Sequence, residues 1–147
     1  MTVHIIKLSV GTTTIEDLAE WQTERLANQK RAGITAPRLF HTTGQKPKRE
    51  QDVLAGGSIY WVIKGIISVR QKLIGFDAGH KDDGTPCCLL LLDPKLVPVR
   101  PTPRRPFQGW RYLAADAAPP DLKAGARNAL AEMPMAMRKE LAGLGLL

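Results

Sequence analysis

The stretch SIYWVIKGIISVRQKLIGF, residues 58–76, decides which fold this sequence predicts. Residues 58–63 are rich in β-branched and aromatic side chains, Lys64-Gly65 can supply a tight turn, and residues 66–76 return to β-forming side chains. Two such runs joined by a two-residue turn are typical of an antiparallel hairpin. We therefore expect a mostly antiparallel sheet that contains this hairpin.

Upstream of the hairpin, the hydrophobic period switches between values typical of strands and of helices. The spacing Thr13-Thr14-Ile15-Glu16 matches a capping box and predicts the start of a helix that Gly33 can end. Pro47 suits the first turn of a second, short helix, and Gly56-Gly57 can stop it. The predicted elements are a strand over 3–10, a helix over 13–33, an edge strand over 36–42 and a helix over 47–54.

Downstream of the hairpin, the pattern predicts further strands and then a helical tail. Pro101, Pro103 and Pro106 predict an extended, irregular segment before the last strand. The predicted elements are a polar hairpin connection over 77–84, strands over 86–92, 96–100 and 109–113, and helices over 121–130 and 134–142. We expect one α+β domain over residues 1–147, in which the sheet is curled toward a small barrel and carries an N-terminal helix, a short middle helix and C-terminal helices.

Composition limits the class of protein. A chain of 147 residues with 44% hydrophobic side chains can bury a core without staples. No apolar run approaches the length of a membrane span, and residues 1–7 do not resemble a secretory signal, so we expect a cytoplasmic protein without a membrane partner. Cys87 and Cys88 are adjacent, which suits reduced thiols in a strand better than a disulfide or a metal site.

The formal charge of +7 is concentrated in two places. Residues 30–72, the first basic segment, contain nine basic and two acidic side chains, and residues 100–113, the second basic segment, contain four basic side chains and no acid. Six of the eight aromatic side chains also fall within these two segments. Clustered basic and aromatic side chains can bind phosphates and stack on unpaired bases, whereas scattered charge only improves solubility. Whether the two segments meet in space is left open by the sequence.

The leading hypothesis is therefore a non-enzymatic module that binds nucleic acid, either RNA or another single strand. Strand alternation predicts that Trp110 and Tyr112 share a face opposite Arg111, and that one of Tyr60 and Trp61 is less buried than the other. The structural alternative is that Trp110 and Tyr112 face the core. The predicted nucleic-acid-binding residues are Lys46, Lys48, Arg49, Tyr60, Lys64, Arg70, Arg104, Arg105, Trp110, Arg111 and Tyr112.

Two alternatives remain open from the sequence. One is a pocket for a nucleotide-like or other small anion with enzymatic activity, in which a cysteine could act with His41 or His80. The other is an assembly protein that uses the Met- and Leu-rich tail, residues 133–147. The histidines lack metal-ligand spacing, and no phosphate loop or nucleophile elbow occurs, so neither a metal nor a cofactor is predicted.

Several strings resemble a known family. GGSIYWVIKG at 56–65, VRQ at 69–71 and PRRPFQGWRYL at 103–113, together with HIIKL at 4–8 and DPKLVP at 93–98, make the chain resemble the bacterial family called domain of unknown function 1489. That resemblance implies no activity, cofactor or site residue. The order of elements over 47–76 and 104–112 also resembles PUA-like barrels, the group that includes the ASCH and EVE domains, and this implies binding of RNA or a modified base.

Overall fold

The structure is a computed structural model that describes residues 2–122. These residues form a sheet-dominated α+β fold, which confirms the predicted class. The elements are β1 (Val3–Leu8), α1 (Ile15–Arg31), β2 (Phe40–Thr43), α2 (Glu50–Leu54), β3 (Ser58–Ile63), β4 (Ile66–His80), β5 (Pro86–Leu92), β6 (Val97–Pro103) and β7 (Trp110–Ala114). The second predicted tail helix and all but the first two positions of the first lie outside the described residues. Asp121, the first residue of the predicted helix over 121–130, forms an isolated β-bridge with Val99.

The predicted hairpin is confirmed and lies at the centre of the sheet. The strand order is β2-β5-β4-β3-β1-β7, and β6 pairs with β4 beside this path. Lys64 and Gly65 have φ values of 52° and 79°, as a tight hairpin turn with two left-handed residues requires. The β1–β3 pair is parallel, and the other pairs are antiparallel.

Two predicted boundaries are wrong because pairing extends strands through sequences that predict loops. Residues 77–80 belong to β4 and pair with residues 86–89 of β5, so the hairpin connection covers only residues 81–85. Strand β6 continues to Pro103 and pairs with the start of β4. A proline that lacks an N–H costs little where a strand is paired mainly on one side. In both places a neighbouring strand outweighs the local turn preference.

The sheet buries side chains on both of its faces. Ile59, Trp61 and Ile63 of β3 belong to one core cluster, together with Leu18 of α1. Tyr60 and Val62 point the opposite way and belong to a second cluster. The prediction that one of Tyr60 and Trp61 is less buried is therefore wrong, since each is only 4% exposed.

Helix α1 is fixed to the sheet by its cap and by a buried amide pair. Thr14 is the N-cap and accepts a hydrogen bond from the backbone N–H of Asp17, one residue later than the predicted box. Gln22, placed on the packing face by its spacing, exchanges hydrogen bonds of 2.8 and 2.9 Å with the amide of Gln71. Trp61 Nε1 donates to the same Gln71 oxygen at 2.9 Å. This shared network positions the Trp61 ring beneath α1.

The sheet is curved, although no strand pair among residues 2–122 closes it. Strands β2 and β3 are three steps apart in the pairing order, about 14 Å in a flat sheet. The rings of His41 on β2 and Trp61 on β3 nevertheless meet edge to face, with their centroids 5.3 Å apart. Gly44 and Gln45, which follow β2, also line one groove together with residues 109–112 of β7. The two ends of the sheet therefore approach each other across a groove.

Candidate nucleic-acid interface

Besides the pairing of Ile66 and Ile67 with Pro103 and Thr102 between β4 and β6, the two basic segments meet at two further points of the fold. The backbone N–H of Arg104 donates to Gly65 O at 2.8 Å, which joins the second segment to the turn of the β3–β4 hairpin. The backbone N–H of Arg49 donates to the Tyr112 hydroxyl at 3.0 Å, which joins the loop before α2 to β7. The open question of convergence is thereby answered, since both contacts flank the edge strand β7.

Residues 104–111, which we name the arginine strap, lead into β7. Phe107 is partly buried against the second core cluster, and it anchors the strap. The guanidinium carbons of Arg104 and Arg111 lie 5.8 and 5.4 Å from the centroid of its ring, within range of cation–π attraction. Neither these two arginines nor the exposed Arg105 forms an ion pair with a carboxylate in the described part of the chain. Their N–H donors are therefore available to an external anion.

The opposite face of β7 carries two aromatic rings. Trp110 and Tyr112 pack edge to face with their centroids 5.0 Å apart, as strand alternation predicts. Trp110 is partly buried against the first core cluster, while Tyr112 is 36% exposed. Both rings line the groove of about 580 Å³ between β7 and the end of β2. The alternative that both rings face the core therefore holds for part of the Trp110 ring, whereas the Tyr112 ring remains open to solvent.

Basic side chains also follow the loop before α2, but two of them are neutralised. Lys46 Nζ lies 2.6 Å from Glu50 Oε2, and the hydrogen bond to that carboxylate raises the pKa of Lys46. Arg49 Nε lies 3.1 Å from Asp52 Oδ2, and its guanidinium carbon lies 5.6 Å from the Tyr112 centroid. Lys48 is exposed and forms no ion pair within residues 2–122.

Two of the predicted site residues do not join the others at the surface. The Tyr60 ring is buried and packs edge to face against His4 at 5.0 Å, and burial raises the pKa of its hydroxyl. Arg70 Nε and Nη2 donate to the two carboxylate oxygens of Asp121 at 2.7 and 2.8 Å. Of the remaining predicted residues, Trp110, Arg111 and Tyr112 lie on β7, Arg49 contacts Tyr112, and Arg104 contacts the Phe107 ring. Lys46 and Lys48 belong to the loop before α2, Lys64 to the β3–β4 turn, and Arg105 to the strap.

The sequence did not predict a second concavity, which Trp61 helps to line. This cleft of about 610 Å³ lies between the end of β1, the first turns of α1 and β2, and Lys7, His41 and Trp61 line it. His41 Nε2 is buried without a hydrogen-bond partner among the described residues. Burial, and then the charges of Lys7 and Arg25, lower the pKa of His41 to about 4. The one signal of this cleft in the sequence was Lys7, a charged side chain within the alternating pattern of β1.

The described residues give little support to metal or thiol chemistry. Residues 2–122 contain no group of three or more His, Cys, Asp or Glu side chains that could hold a metal ion. Cys87 and Cys88 are buried free thiols, and burial raises the pKa of Cys88, which disfavours the reactive thiolate. The helices within this part of the chain are too short or too polar to span a membrane.

Comparison with known proteins identifies a family without a known activity. A family model described as "Protein of unknown function (DUF1489)" matches residues 5–147, nearly the whole chain. No curated protein and no solved structure matches the chain significantly.

Proposed function

Because the chain belongs to the DUF1489 family, whose description assigns no activity, we propose a function from its geometry: it binds single-stranded nucleic acid along the two sides of β7. The observation that carries this proposal is the arginine strap. The guanidinium groups of Arg104 and Arg111 are held against the Phe107 ring, and no carboxylate among the described residues forms an ion pair with these two arginines or with Arg105. Cations that lack an internal partner attract phosphates, and each neutralised phosphate releases condensed counterions.

The aromatic side of β7 favours a single strand over a duplex. Tyr112 offers a partly exposed ring whose hydroxyl is held by the Arg49 backbone, and Trp110 supports that ring from the core side. A base can stack on such a ring only when it is free of its neighbours in a helix, and stacking contributes about 1 to 3 kcal/mol per base. The strap therefore binds phosphates while Tyr112 binds a base.

The remaining sequence predictions fit this proposal. A location in the cytoplasm would give the protein access to RNA. The resemblance to PUA-like barrels implies RNA or a modified base as ligand. A sheet that curls toward a barrel is part of the same resemblance. The proposal requires no chemical step and no cofactor.

Fluorescence anisotropy with labelled oligouridine and oligothymidine of about 20 nucleotides tests the proposal, since sites of this kind cover several nucleotides. Affinity should fall steeply between about 50 and 200 mM salt, with a slope of log K against log salt of about −3 for four or five phosphate contacts. The variant Arg104→Gln/Arg105→Gln/Arg111→Gln should lose about two units of that slope. Tyr112→Leu should instead lower affinity about tenfold and leave the slope unchanged, because stacking releases no counterions.

A matched control removes three charges elsewhere. Lys30→Gln/Arg31→Gln/Lys81→Gln changes exposed side chains at the end of α1 and in the β4–β5 connection, so it has the same net charge as the strap variant. It should keep the wild-type slope to within about one unit. The absence of binding at about 50 mM salt, or equal losses in the two triple variants, would refute binding at β7.

A further inference from the structure

The cleft between β1, α1 and β2 is built from side chains that the nucleic-acid proposal does not use. Lys7 is paired in register with Trp61 on β3, so these two side chains leave the same face of the sheet. Trp21 of α1, which is 48% exposed, also lines the cleft, and the guanidinium carbon of Arg25 lies 5.0 Å from the centroid of its ring, which leaves the other face of the ring for a ligand. The cleft therefore combines a lysine with aromatic side chains from two elements.

His41 presents an unsatisfied polar atom in this cleft. Its Nε2 is buried and has no hydrogen-bond partner in the described structure, while edge-to-face packing at 85° against Trp61 fixes the ring. A buried polar atom without a partner is unfavourable, so most buried polar atoms are paired in folded proteins. A ligand that hydrogen-bonds to Nε2 would remove that cost.

Lys7 presents an uncompensated charge in the same cleft. Its side chain is half-buried, and burial lowers the pKa of its ammonium group. Three carboxylates, those of Asp17, Glu20 and Glu24, also line the cleft, but none comes within ion-pair distance of Lys7. Asp17 instead accepts hydrogen bonds from the backbone N–H and the hydroxyl of Thr13. A partly desolvated ammonium group without a carboxylate partner is suited to an anionic ligand.

We propose that this cleft binds a small anion with a planar aromatic or heteroaromatic ring and one phosphate or carboxylate group. The ligand has the size of a nucleoside monophosphate. Lys7 binds the anionic group, and His41 Nε2 hydrogen-bonds to a polar atom of the ligand. Trp21 stacks on the ring, and Glu20 and Glu24 accept hydrogen bonds from hydroxyl or amino groups at the cleft mouth. A volume of about 610 Å³ is within the range of ordinary small-molecule sites. This inference does not depend on the proposed function, because it uses different residues.

Isothermal titration of the full chain with adenosine 5′-monophosphate, uridine 5′-monophosphate, benzoate, adenosine and inorganic phosphate tests the inference. A nucleoside monophosphate or benzoate should bind at least about tenfold more tightly than adenosine, because a charge-assisted hydrogen bond contributes about 1.5 to 3 kcal/mol. Comparing the affinities of the two nucleoside monophosphates with the affinity of benzoate distinguishes a phosphate ligand from a carboxylate ligand. Weak binding of inorganic phosphate alone would show that the ring is also recognised.

Lys7→Met should lower the affinity for the tightest probe by about tenfold or more, whereas Lys30→Met, at the exposed end of α1, should leave it unchanged. His41→Phe keeps the edge-to-face packing on Trp61 and should also weaken binding. If Lys7→Met fails to fold, NMR of the wild-type imidazole decides, because bound ligand should shift the His41 Nε2 resonance. An affinity for adenosine that equals the affinity for every anionic probe, unchanged binding by Lys7→Met, or an unmoved His41 resonance at saturation would overturn the inference.

Discussion

The first and second basic segments look alike in sequence, but their charges have different partners in the fold. Four basic side chains of the first segment, residues 30–72, contact carboxylates, whereas the arginine strap of the second segment contacts the ring of Phe107. The four ion pairs are Arg38–Asp77, Lys46–Glu50, Arg49–Asp52 and Arg70–Asp121, with shortest distances between 2.6 and 3.1 Å. The first segment therefore uses much of its charge inside the fold.

The difference follows from where acidic residues lie. The second segment contains no acid, and none of the acids elsewhere in residues 2–122 forms an ion pair with Arg104, Arg105 or Arg111. The first segment contains Glu50 and Asp52 within helical distance of Lys46 and Arg49. Formal charge per segment thus overestimates the charge that a ligand can use, and the presence of nearby acids decides how much remains.

The largest expected effect comes from protonating His41, which would add a positive charge to the first segment beside the charges of Lys7 and Arg25. His41 is neutral at pH 7, and burial, Lys7 and Arg25 hold its pKa at about 4, below the unfolded value of 6.5. The native state therefore binds fewer protons than the unfolded state, and stability is lost as pH falls below 6.5. We expect about 2 kcal/mol of loss between pH 7 and pH 5, and about 3 kcal/mol by pH 4.

Urea unfolding at several pH values measures this loss. His41→Phe should be less sensitive to pH over 5–7, with the remaining sensitivity due to His4, whose pKa is also lowered by burial and then by Arg70. Carboxylates titrate mainly below that range and do not interfere. A His41→Phe variant that loses as much stability as the wild type between pH 7 and pH 5 would contradict the expected burial cost.

The second test removes an arginine that the fold uses. Arg70 donates two hydrogen bonds to Asp121 and a third, of 3.2 Å, to the Ser58 hydroxyl. Arg70→Ala should lower the free energy of unfolding by about 1 to 2 kcal/mol, less than a buried bidentate pair would cost because Asp121 is 45% exposed. Arg105→Ala in the strap should change it by less than about 0.5 kcal/mol.

A double-mutant cycle with Asp121→Asn separates the pair from the rest of the Arg70 environment. The two single substitutions should not add, because each removes the same bidentate contact. Additive losses would show that Arg70 stabilises the fold through Ser58 and its hydrophobic stem instead. Equal stability of the Arg70→Ala and Arg105→Ala variants would remove the contrast between the two segments.

Local patterns predicted the parts of the fold that local physics determines. The hairpin turn at Lys64-Gly65, the N-terminal helix and the alternation of Trp110 with Tyr112 follow from period and turn chemistry, and all three are confirmed. The parallel pairing of β1 with β3 was not predicted, because it joins strands more than 50 residues apart. The burial of both Tyr60 and Trp61 depends on that same non-local packing, which covers both faces of β3.

The candidate sites show the same limit. Sequence supplied the basic and aromatic residues beside β7, but the Arg49–Tyr112 contact spans 63 residues and only the fold reveals it. Ion pairing could not be predicted for Arg70, whose partner lies 51 residues later. The cleft with Lys7 and His41 was missed for a different reason, because an unpaired buried atom is a property of its surroundings and has no sequence pattern.

The smallest expected effect concerns a single phosphate contact, and it tests the comparison most directly. Lys46 is already compensated by Glu50, so Lys46→Gln should leave the salt dependence of oligouridine binding nearly unchanged. Arg105→Gln removes an uncompensated charge and should make the slope of log K against log salt less steep by about 0.7, the value for one phosphate of a single strand. Glu50→Gln should make the slope steeper by up to the same amount, because it releases Lys46 for binding. A residue of the first segment would then behave like the arginines of the strap. If Glu50→Gln and Lys46→Gln shift the slope equally and in the same direction, pairing with acids does not determine which charges bind.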